Sequence, residues 1–437
     1  MKQIMLIIGS LLLGTVYGQV ADILTLEYCH EMALVNYPLS DHTSLLKAAS
    51  EIEQKKLNAN YLPRVQISGQ VSYQSDVTKV DVVVPPFYIP PPIDIEVSPA
   101  PFDTPVPPKD QYRITMDINQ VIYDGGITGK QKKMELAAYE IEEQKVEVVL
   151  HQLKESINSV FFSIILMQEN EKLLSILMDE MNQKLKEINA AVEYGVALST
   201  DRDVLKAEIL RIEQQLDETS IQKQAFTMIL GDLMSEDIPE EVMLALPEND
   251  FISFSHDPLR PELQIYDMQK SMLEDSKELI TSTWNPKLSG FGQLGYGNPG
   301  LNMLEDNFSP FYIVGARLQW QIWNWNQNKK EKQILGLRQD MIDKEKETFD
   351  IKLNVALKQH IASISKYETL IVKDMEVIEL RENISKTASS QLNNGVITSS
   401  DYVSRLNEEA QSRLNLELHK VRLAQARVDY LTTLGIL

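Results

Sequence analysis

Tyr194-Gly195-Val196-Ala197-Leu198-Ser199-Thr200-Asp201 returns 200 residues later as Asn394-Gly395-Val396-Ile397-Thr398-Ser399-Ser400-Asp401. Each stretch lies between two long runs with helical hydrophobic spacing. A glycine closing the first run, then Ser or Thr, then Asp, reads as helix end, turn and start of a returning helix. Each copy is expected to be a helical hairpin, and the chain a tandem duplication.

The run before the first copy places apolar residues at steps of three and four through Leu153, Ile157, Val160 and Ile164. It resumes through Leu174, Leu177, Met181, Leu185, Ile188 and Val192. That is a coiled-coil seam. Of the 19 prolines, ten lie in 85–108, none in 109–238 and none in 311–437. Because an interior proline costs a helix about 3 kcal/mol, two such tracts are what very long helices require. A helix over residues 128–194 would be roughly 100 Å long at ~1.5 Å per residue, more than a compact globular domain holds.

The duplication extends outward. Ile122-Tyr123-Asp124 pairs with Ile322-Trp323-Asn324, Lys130 with Lys330, and, at a spacing of 223, Tyr61-Leu62-Pro63-Arg64 with Trp284-Asn285-Pro286-Lys287. The 23-residue difference is the proline-rich insert of the first copy. Each copy also carries two alternating stretches: 65–73 and 112–123, the latter with Ile114, Met116, Ile118 and Val121, matched by 288–296 and 312–323. Alternation over about ten residues with aromatic ends suits a membrane β-barrel strand and equally any half-buried strand. Four strands cannot close a barrel, and an open edge in lipid would strand backbone groups, so a membrane reading requires several chains to share one barrel.

Composition narrows the classes. The 437 residues carry a formal charge of −21, with 43% hydrophobic and 24% charged residues, which excludes a polytopic helical membrane protein and a disordered acidic chain. The acidic balance argues against nucleic acid. One cysteine, Cys29, forbids an intrachain disulfide. Residues 1–18, with Lys2, an apolar run over 4–13 and Val16-Tyr17-Gly18 before Gln19, read as an export signal too short to span a membrane. Leu26-Glu27-Tyr28-Cys29 has the outline of a lipobox, but Glu27 and its distance from the apolar run argue against lipidation.

In this order the residues resemble the outer-membrane efflux proteins of the TolC type, over nearly all of the mature chain. Thr25-Leu26-Glu27-Tyr28-Cys29 through Ala33 and Asn36-Tyr37-Pro38 is similar to that family's first helix. Leu62-Pro63 before a strand, Tyr123-Asp124-Gly125-Gly126 before the long helix, and Arg260-Pro261-Glu262-Leu263 at the second-copy opening are similar to its local signatures. The resemblance implies a mixed α and β membrane protein: a homotrimer whose 12-stranded β-barrel in the outer membrane continues into a periplasmic α-helical tunnel. It implies a passive exit duct for a tripartite efflux or type I secretion system, with a periplasmic adaptor and an inner-membrane pump as partners, outer-membrane lipid around the barrel and no cofactor. The rival reading is a periplasmic coiled-coil adaptor or scaffold, which should have one hairpin and no barrel-like strands.

The organisation expected is the signal at 1–18, N-terminal helices at 19–63, a strand pair at 64–123 with an extracellular loop at 82–108, and a hairpin at 124–231. A linker or belt segment at 232–258, a helix at 259–285, a second strand pair at 286–323 and a second hairpin at 324–437 follow. At the tip, the resemblance implies that Asp401 faces the pore, with Ser404 where a second acidic residue would stand, Leu392 in place of an aromatic gate residue and Ile397 in place of a basic one. Asp201 reads as a helix N-cap. Gly195, Val196, Gly395 and Val396, with Asp201, are the candidates for the turn and adaptor contact. Tyr123, Trp320, Trp323 and Trp325 suit a membrane-interface girdle at strand ends. In copy two, Asn324-Trp325-Asn326 replaces Asp-Gly-Gly, so its strand-to-helix passage lacks glycine.

Other motifs fail. Gly290-Phe291-Gly292-Gln293-Leu294-Gly295 has dinucleotide-site spacing but lies inside an alternating strand, and Gly125-Gly126-Ile127-Thr128-Gly129-Lys130 lacks the first glycine and the Ser or Thr of a phosphate loop. Glu147, His151 and Glu155 share a helix face that reads as a solvated charged face before it reads as a metal site. No catalytic constellation can be assembled.

Overall fold

The structure, a computed structural model, describes residues 23–80, 82–98, 100–102, 106–239, 241–247 and 257–437; the expected export signal lies outside them. Chain order is β1 (Ile23–Leu24), α1 (Leu26–Asn36), α2 (His42–Asn58), β2 (Arg64–Tyr73), β3 (Val82–Val84), β4 (Phe87–Ile89), β5 (Ile95–Val97), β6 (Ala100–Phe102) and β7 (Asp110–Tyr123). It continues with α3 (Ile127–Glu193), α4 (Ser199–Met234), β8 (Met243–Leu244), α5 (Pro261–Ser282), β9 (Lys287–Asn298), β10 (Ser309–Gln319), α6 (Gln327–Asn393) and α7 (Ser399–Leu434). The chain divides into two compact units, Ser44–Glu142 with Tyr266–Lys344, and Met1–Thr43 with Glu143–Ile265 and Glu345–Leu437.

The duplication is visible in the backbone. α3 and α6 have 67 residues each, α4 and α7 have 36, and every boundary of the second pair is that of the first plus 200. Left-handed positions repeat at the same spacing: Gly125 with Trp325, Gly126 with Asn326, Gly195 with Gly395, and Ser235 with Gly435. Trp325 and Asn326 thus adopt the conformation that Gly125 and Gly126 adopt, without glycine. Packing explains the difference. A Cβ on Gly125 would lie 2.9 Å from both Asn285 Cβ and Ser282 O, whereas Trp325 is 77% exposed, with Trp323 against its ring.

In the unit of Ser44–Glu142 and Tyr266–Lys344, one antiparallel sheet has the order β10-β9-β7-β2, so the strand pairs of the two copies meet at β7 and β9. The register breaks between Val121 and Tyr123, a β-bulge that leaves Ile122 unpaired. One detail of the sequence reading is overturned: Val121, an odd position where Ile114, Met116 and Ile118 are even, falls in the polar row opposite Ser289, and the bulge at Ile122 returns Tyr123 to the apolar row opposite Leu288. The proline-rich insert, expected as an extracellular loop at 82–108, contains two antiparallel pairs, β3 with β6 and β4 with β5. Pro85-Pro86 lie between β3 and β4 and Pro90 to Pro92 lie at the β4 end and turn, where ladder donors are not needed.

In the other unit, Leu177, Met181 and Ile188 of α3, Leu205, Ile209 and Ile212 of α4, Ala388 and Leu392 of α6, and Tyr402, Val403 and Leu406 of α7 form one core. The predicted seam is therefore real, but burial is wider than one stripe because α3 meets more than one helix: Phe161, Phe162 and Ile165 are also buried. Helix α1 buries Leu26, Cys29, His30 and Ala33, one face at helical spacing. Burial pushes the Cys29 thiol up to about 12. A polar layer crosses this unit: His30 Nε2 bonds Asn158 Oδ1 at 2.8 Å, and Asn158 Nδ2 donates to Thr432 Oγ1 at 2.8 Å. The segment after α4 is tied through β8, which pairs in parallel with β1 and is clamped by Gln168, whose Oε1 accepts from Leu244 N–H at 3.1 Å. The segment 232–258, expected as a linker or belt, is thus paired through β8 with the N-terminal β1, which no sequence pattern marked; residues 240 and 248–256 of it lie outside the described ones.

Candidate functional site

Residues paired across neighbouring strands share a face, so the register sorts the sheet into two surfaces. One row of faces carries Val65, Ile67 and Val71 of β2, Tyr112, Ile114, Met116 and Ile118 of β7, Leu294 and Tyr296 of β9, and Tyr312, Val314 and Leu318 of β10. Nearly all of these are exposed, Val71 to 75% and Val314 to 77%. So large an unpartnered apolar surface has no place in water. The opposite face is polar, with Gln66, Ser68, Gln70, Thr115, Asp117, Asn119, Ser289 and Gln293. Asp117 is held there by Thr115 Oγ1 at 3.0 Å and Gln293 Nε2 at 2.6 Å. Phe311 lies over Gly295, where a Cβ would meet its ring at 2.1 Å, and Phe291 lies against Gly315. Arg113 stacks on Phe311 at 5.7 Å and Arg317 on Phe291 at 5.3 Å. Both edges, β2 and β10, are unpaired among the described residues.

The aromatic candidates are exposed but placed differently than expected. Tyr123 ends β7, whereas β10 stops at Gln319, so Trp320, Trp323 and Trp325 belong to the connection before α6 and do not end the strand. Trp320 Nε1 donates to Trp284 O at 3.0 Å, and Trp323 and Trp325 meet edge to face at 5.7 Å. At the first-copy junction Asp124 organises the turn: Oδ1 accepts from Gly126 N–H at 2.9 Å and Tyr61 Oη at 2.9 Å, and Oδ2 from Thr128 N–H at 2.6 Å. Despite the opposing cost of burial, these bonds hold its carboxyl below the usual range. Asn324, its counterpart, donates to Asn328 Oδ1 at 2.6 Å, and its own Oδ1 is buried without a partner among the described residues.

The two hairpin tips are built alike. Gly195 N–H donates to Val192 O at 3.0 Å and Val196 N–H to Ala191 O at 2.8 Å; Gly395 and Val396 repeat this with Leu392 and Gln391. These close the helix ends with glycine in the left-handed region. Tyr194, Val196, Leu198 and Val396 project outward, 68–84% exposed. Asp201 corrects its reading as N-cap: the cap is Leu198, which has no side-chain acceptor, and Asp201 reaches back from the third helical position to Leu198 N–H at 3.3 Å. Its other oxygen accepts from Ser399 N–H of the second hairpin at 3.2 Å. Asp401 forms a capping box with Thr398, accepting from its Oγ1 at 2.7 Å and its N–H at 3.2 Å. Those bonds hold the Asp401 carboxyl below its ordinary range.

The gate candidates are divided. Asp401 and Ile397 line one groove between α6 and α7 together with Arg405, one turn beyond Asp401, which sequence reasoning passed over although its i,i+4 spacing marks it. Ser404 lines a separate hollow with Arg381 and Glu408. Leu392 is buried in the four-helix core at 8% exposure and packs inside this chain. Also missed was Lys184, buried at 4% exposure, which donates to Glu187 Oε2 at 2.8 Å and Asn393 Oδ1 at 2.5 Å and lies over the Tyr402 ring at 5.4 Å. Among the described residues no cluster of three His, Cys, Asp or Glu could hold a metal ion. His151 is engaged by Arg260 Nη1 at 2.5 Å, which also bonds Glu155 at 3.0 Å. Burial and that guanidinium lower the His151 pKa. No described helix is long and apolar enough to cross a membrane.

Comparison with protein-family models and with curated proteins yields no match. Among solved structures, the outer membrane protein VceC from Vibrio cholerae is similar at a TM-score of 0.65 and 12% identity, over 94% of this chain and 96% of that one. The CmeC outer membrane channel of Campylobacter jejuni is similar at 0.63 and 14%, over 94% and 85%. The MtrE outer membrane channel of Neisseria gonorrhoeae, in its open state, is similar at 0.64 and 13%, over 94% and 88%. The chain has the fold of these outer-membrane channels.

Proposed function

We propose that the chain is a member of the TolC-type efflux family and acts, as a homotrimer in the outer membrane, as the passive exit duct of a tripartite efflux or type I secretion system. The observation that carries this is the four-stranded sheet: an exposed apolar face for lipid, a polar face for a lumen, and two unpaired edges. An open edge in hydrocarbon leaves N–H and C=O groups unpaired at several kcal/mol each, so β10 of one copy must pair with β2 of the next. Three copies supply twelve strands, a number that closes. The exposed tips around Val196 and Val396 suit docking of a periplasmic adaptor, itself engaged by an inner-membrane pump. Substrates then pass without chemistry in the duct, and the pump supplies the energy.

Detergent-extracted protein should have the mass of three chains and migrate faster on a gel before boiling than after, because a closed barrel resists cold detergent. A folded monomer without heat-modifiable migration would overturn the reading and favour a periplasmic scaffold.

A further inference from the structure

We infer that the polar face of the four-stranded sheet is a cationic surface that favours anions over cations in the duct's outer section. This deepens the duct reading and rests on it.

Whole-chain charge points the other way. Against a formal charge of −21 for the chain, the polar row of the sheet carries Arg64, Arg113, Lys287 and Arg317, opposed among the described residues by Asp117 alone. The distribution along the strands is also ordered. The register sets Arg113 opposite Gly297 near one end, and sets Arg317 opposite Ser289 near the other, with Arg64 two register positions away. About eight residues at ~3.3 Å separate the two levels, roughly 25 Å. Asp117 lies midway between them, already bonded by Thr115 and Gln293.

Arg113 and Arg317 are held rather than free. Each guanidinium lies over a phenylalanine ring, Phe311 or Phe291, and neither makes an ion pair among the described residues. The cation–π contact tethers each guanidinium to the wall and leaves its N–H donors available to a passing anion. The cross-strand glycines opposite those rings, Gly295 and Gly315, make the room for this arrangement, since a Cβ at either would meet the phenylalanine. Threefold repetition would give a basic ring at each level, and a low-dielectric wall focuses such fields. Inorganic anions and organic carboxylates or phosphates are the ligand chemistry that fits; hydrated metal cations are not.

The test is the chloride-to-potassium permeability ratio, read from the reversal potential of the reconstituted trimer in a potassium chloride gradient. Arg113→Gln with Arg317→Gln should lower the ratio about threefold relative to wild type, and Arg113→Lys with Arg317→Lys should leave it within about 1.5-fold, because charge and not stacking sets selectivity. Comparing variants with the same helical tips cancels the contribution of Asp401. A conducting wild type whose ratio is unchanged in the Gln variants overturns the inference alone; if the double variant does not assemble, an unchanged ratio in Arg317→Gln does the same. A wild type that forms trimers but never conducts overturns the duct reading and this inference with it.

Discussion

The carboxylate of Asp201, in the first turn of α4, accepts a hydrogen bond from the backbone N–H of Ser399, the first residue of α7, at 3.2 Å. One acidic side chain therefore satisfies orphan donors at the starts of two helices from different copies. Asp201→Ala removes both bonds and is expected to cost about 1–2 kcal/mol, and Asp201→Asn less, since one acceptor remains. Ser399→Ala should be neutral or slightly stabilising, because Ser399 Oγ is buried without a partner among the described residues. Urea midpoints of the three variants by circular dichroism check the order.

Asp401 is proposed as the acidic member of the tip. Its capping-box bonds favour the carboxylate, so it is ionised at neutral pH. Three copies around an axis would bring three such charges together and bind multivalent cations. A trivalent cation added from the periplasmic side should reduce single-channel conductance. Asp401→Asn should relieve the block, with Asp201→Asn leaving it intact. Block of equal strength in wild type and Asp401→Asn would remove Asp401 from the gate.

Trp325 bears a left-handed backbone that costs a side chain about 1 kcal/mol relative to glycine. Trp325→Gly trades that strain against the edge-to-face contact with Trp323 and should be nearly neutral in thermal stability. Trp325→Ala keeps the strain and loses the ring, so it should fall below Trp325→Gly by about 1 kcal/mol. At the matching position in copy one, Gly125→Ala should be the most damaging of the three, because the new Cβ would also strike Asn285 and Ser282.

Half-buried Asp429 on α7 has a pKa raised to about 6, by desolvation first and the charge of Glu155 second. A carboxyl raised in the folded state stabilises below its unfolded pKa, near 4, and that contribution is lost as pH climbs through about 6. Asp429→Asn should therefore be more stable than wild type at pH 7, by about 1–2 kcal/mol after solvent screening, and indistinguishable from it at pH 3.5. Melting temperatures at the two pH values decide this; a gap that does not shrink on acidification would show that desolvation of Asp429 is not its source.

The hairpins and strand pairs are legible in the sequence because periodicity and the repeated Gly-to-Asp turns are local signals, and the duplication states each twice. What stayed hidden depends on single residues or distant partners. The Ile122 bulge changes the facing of Tyr123 by one unpaired residue, and alternation alone cannot reveal it. The two-residue β1 is too short for any pattern. Leu392 reads as a tip position by its distance from Gly395, yet its side chain is packed with Tyr402 and Ala388, a choice made by helix rotation. Buried Lys184 is the clearest omission, since a charge beside an apolar seam reads as solvated until Asn393 arrives from 209 residues away.

The constant offset of 200 between the copies also limits how such a chain can change in length. One residue inserted into α3 alone would rotate everything beyond it by about 100° and raise it by ~1.5 Å, parting Asp201 from Ser399 and Lys184 from Asn393. Seven residues preserve the facing of a seam but still displace one tip from the other by roughly 10 Å. Tolerated changes of reach should therefore arrive as whole heptads, simultaneously in α3, α4, α6 and α7. Point substitutions can accumulate freely along the exposed faces of these helices, whereas isolated insertions and deletions should be confined to the connections, as the proline-rich segment between β2 and β7 already is.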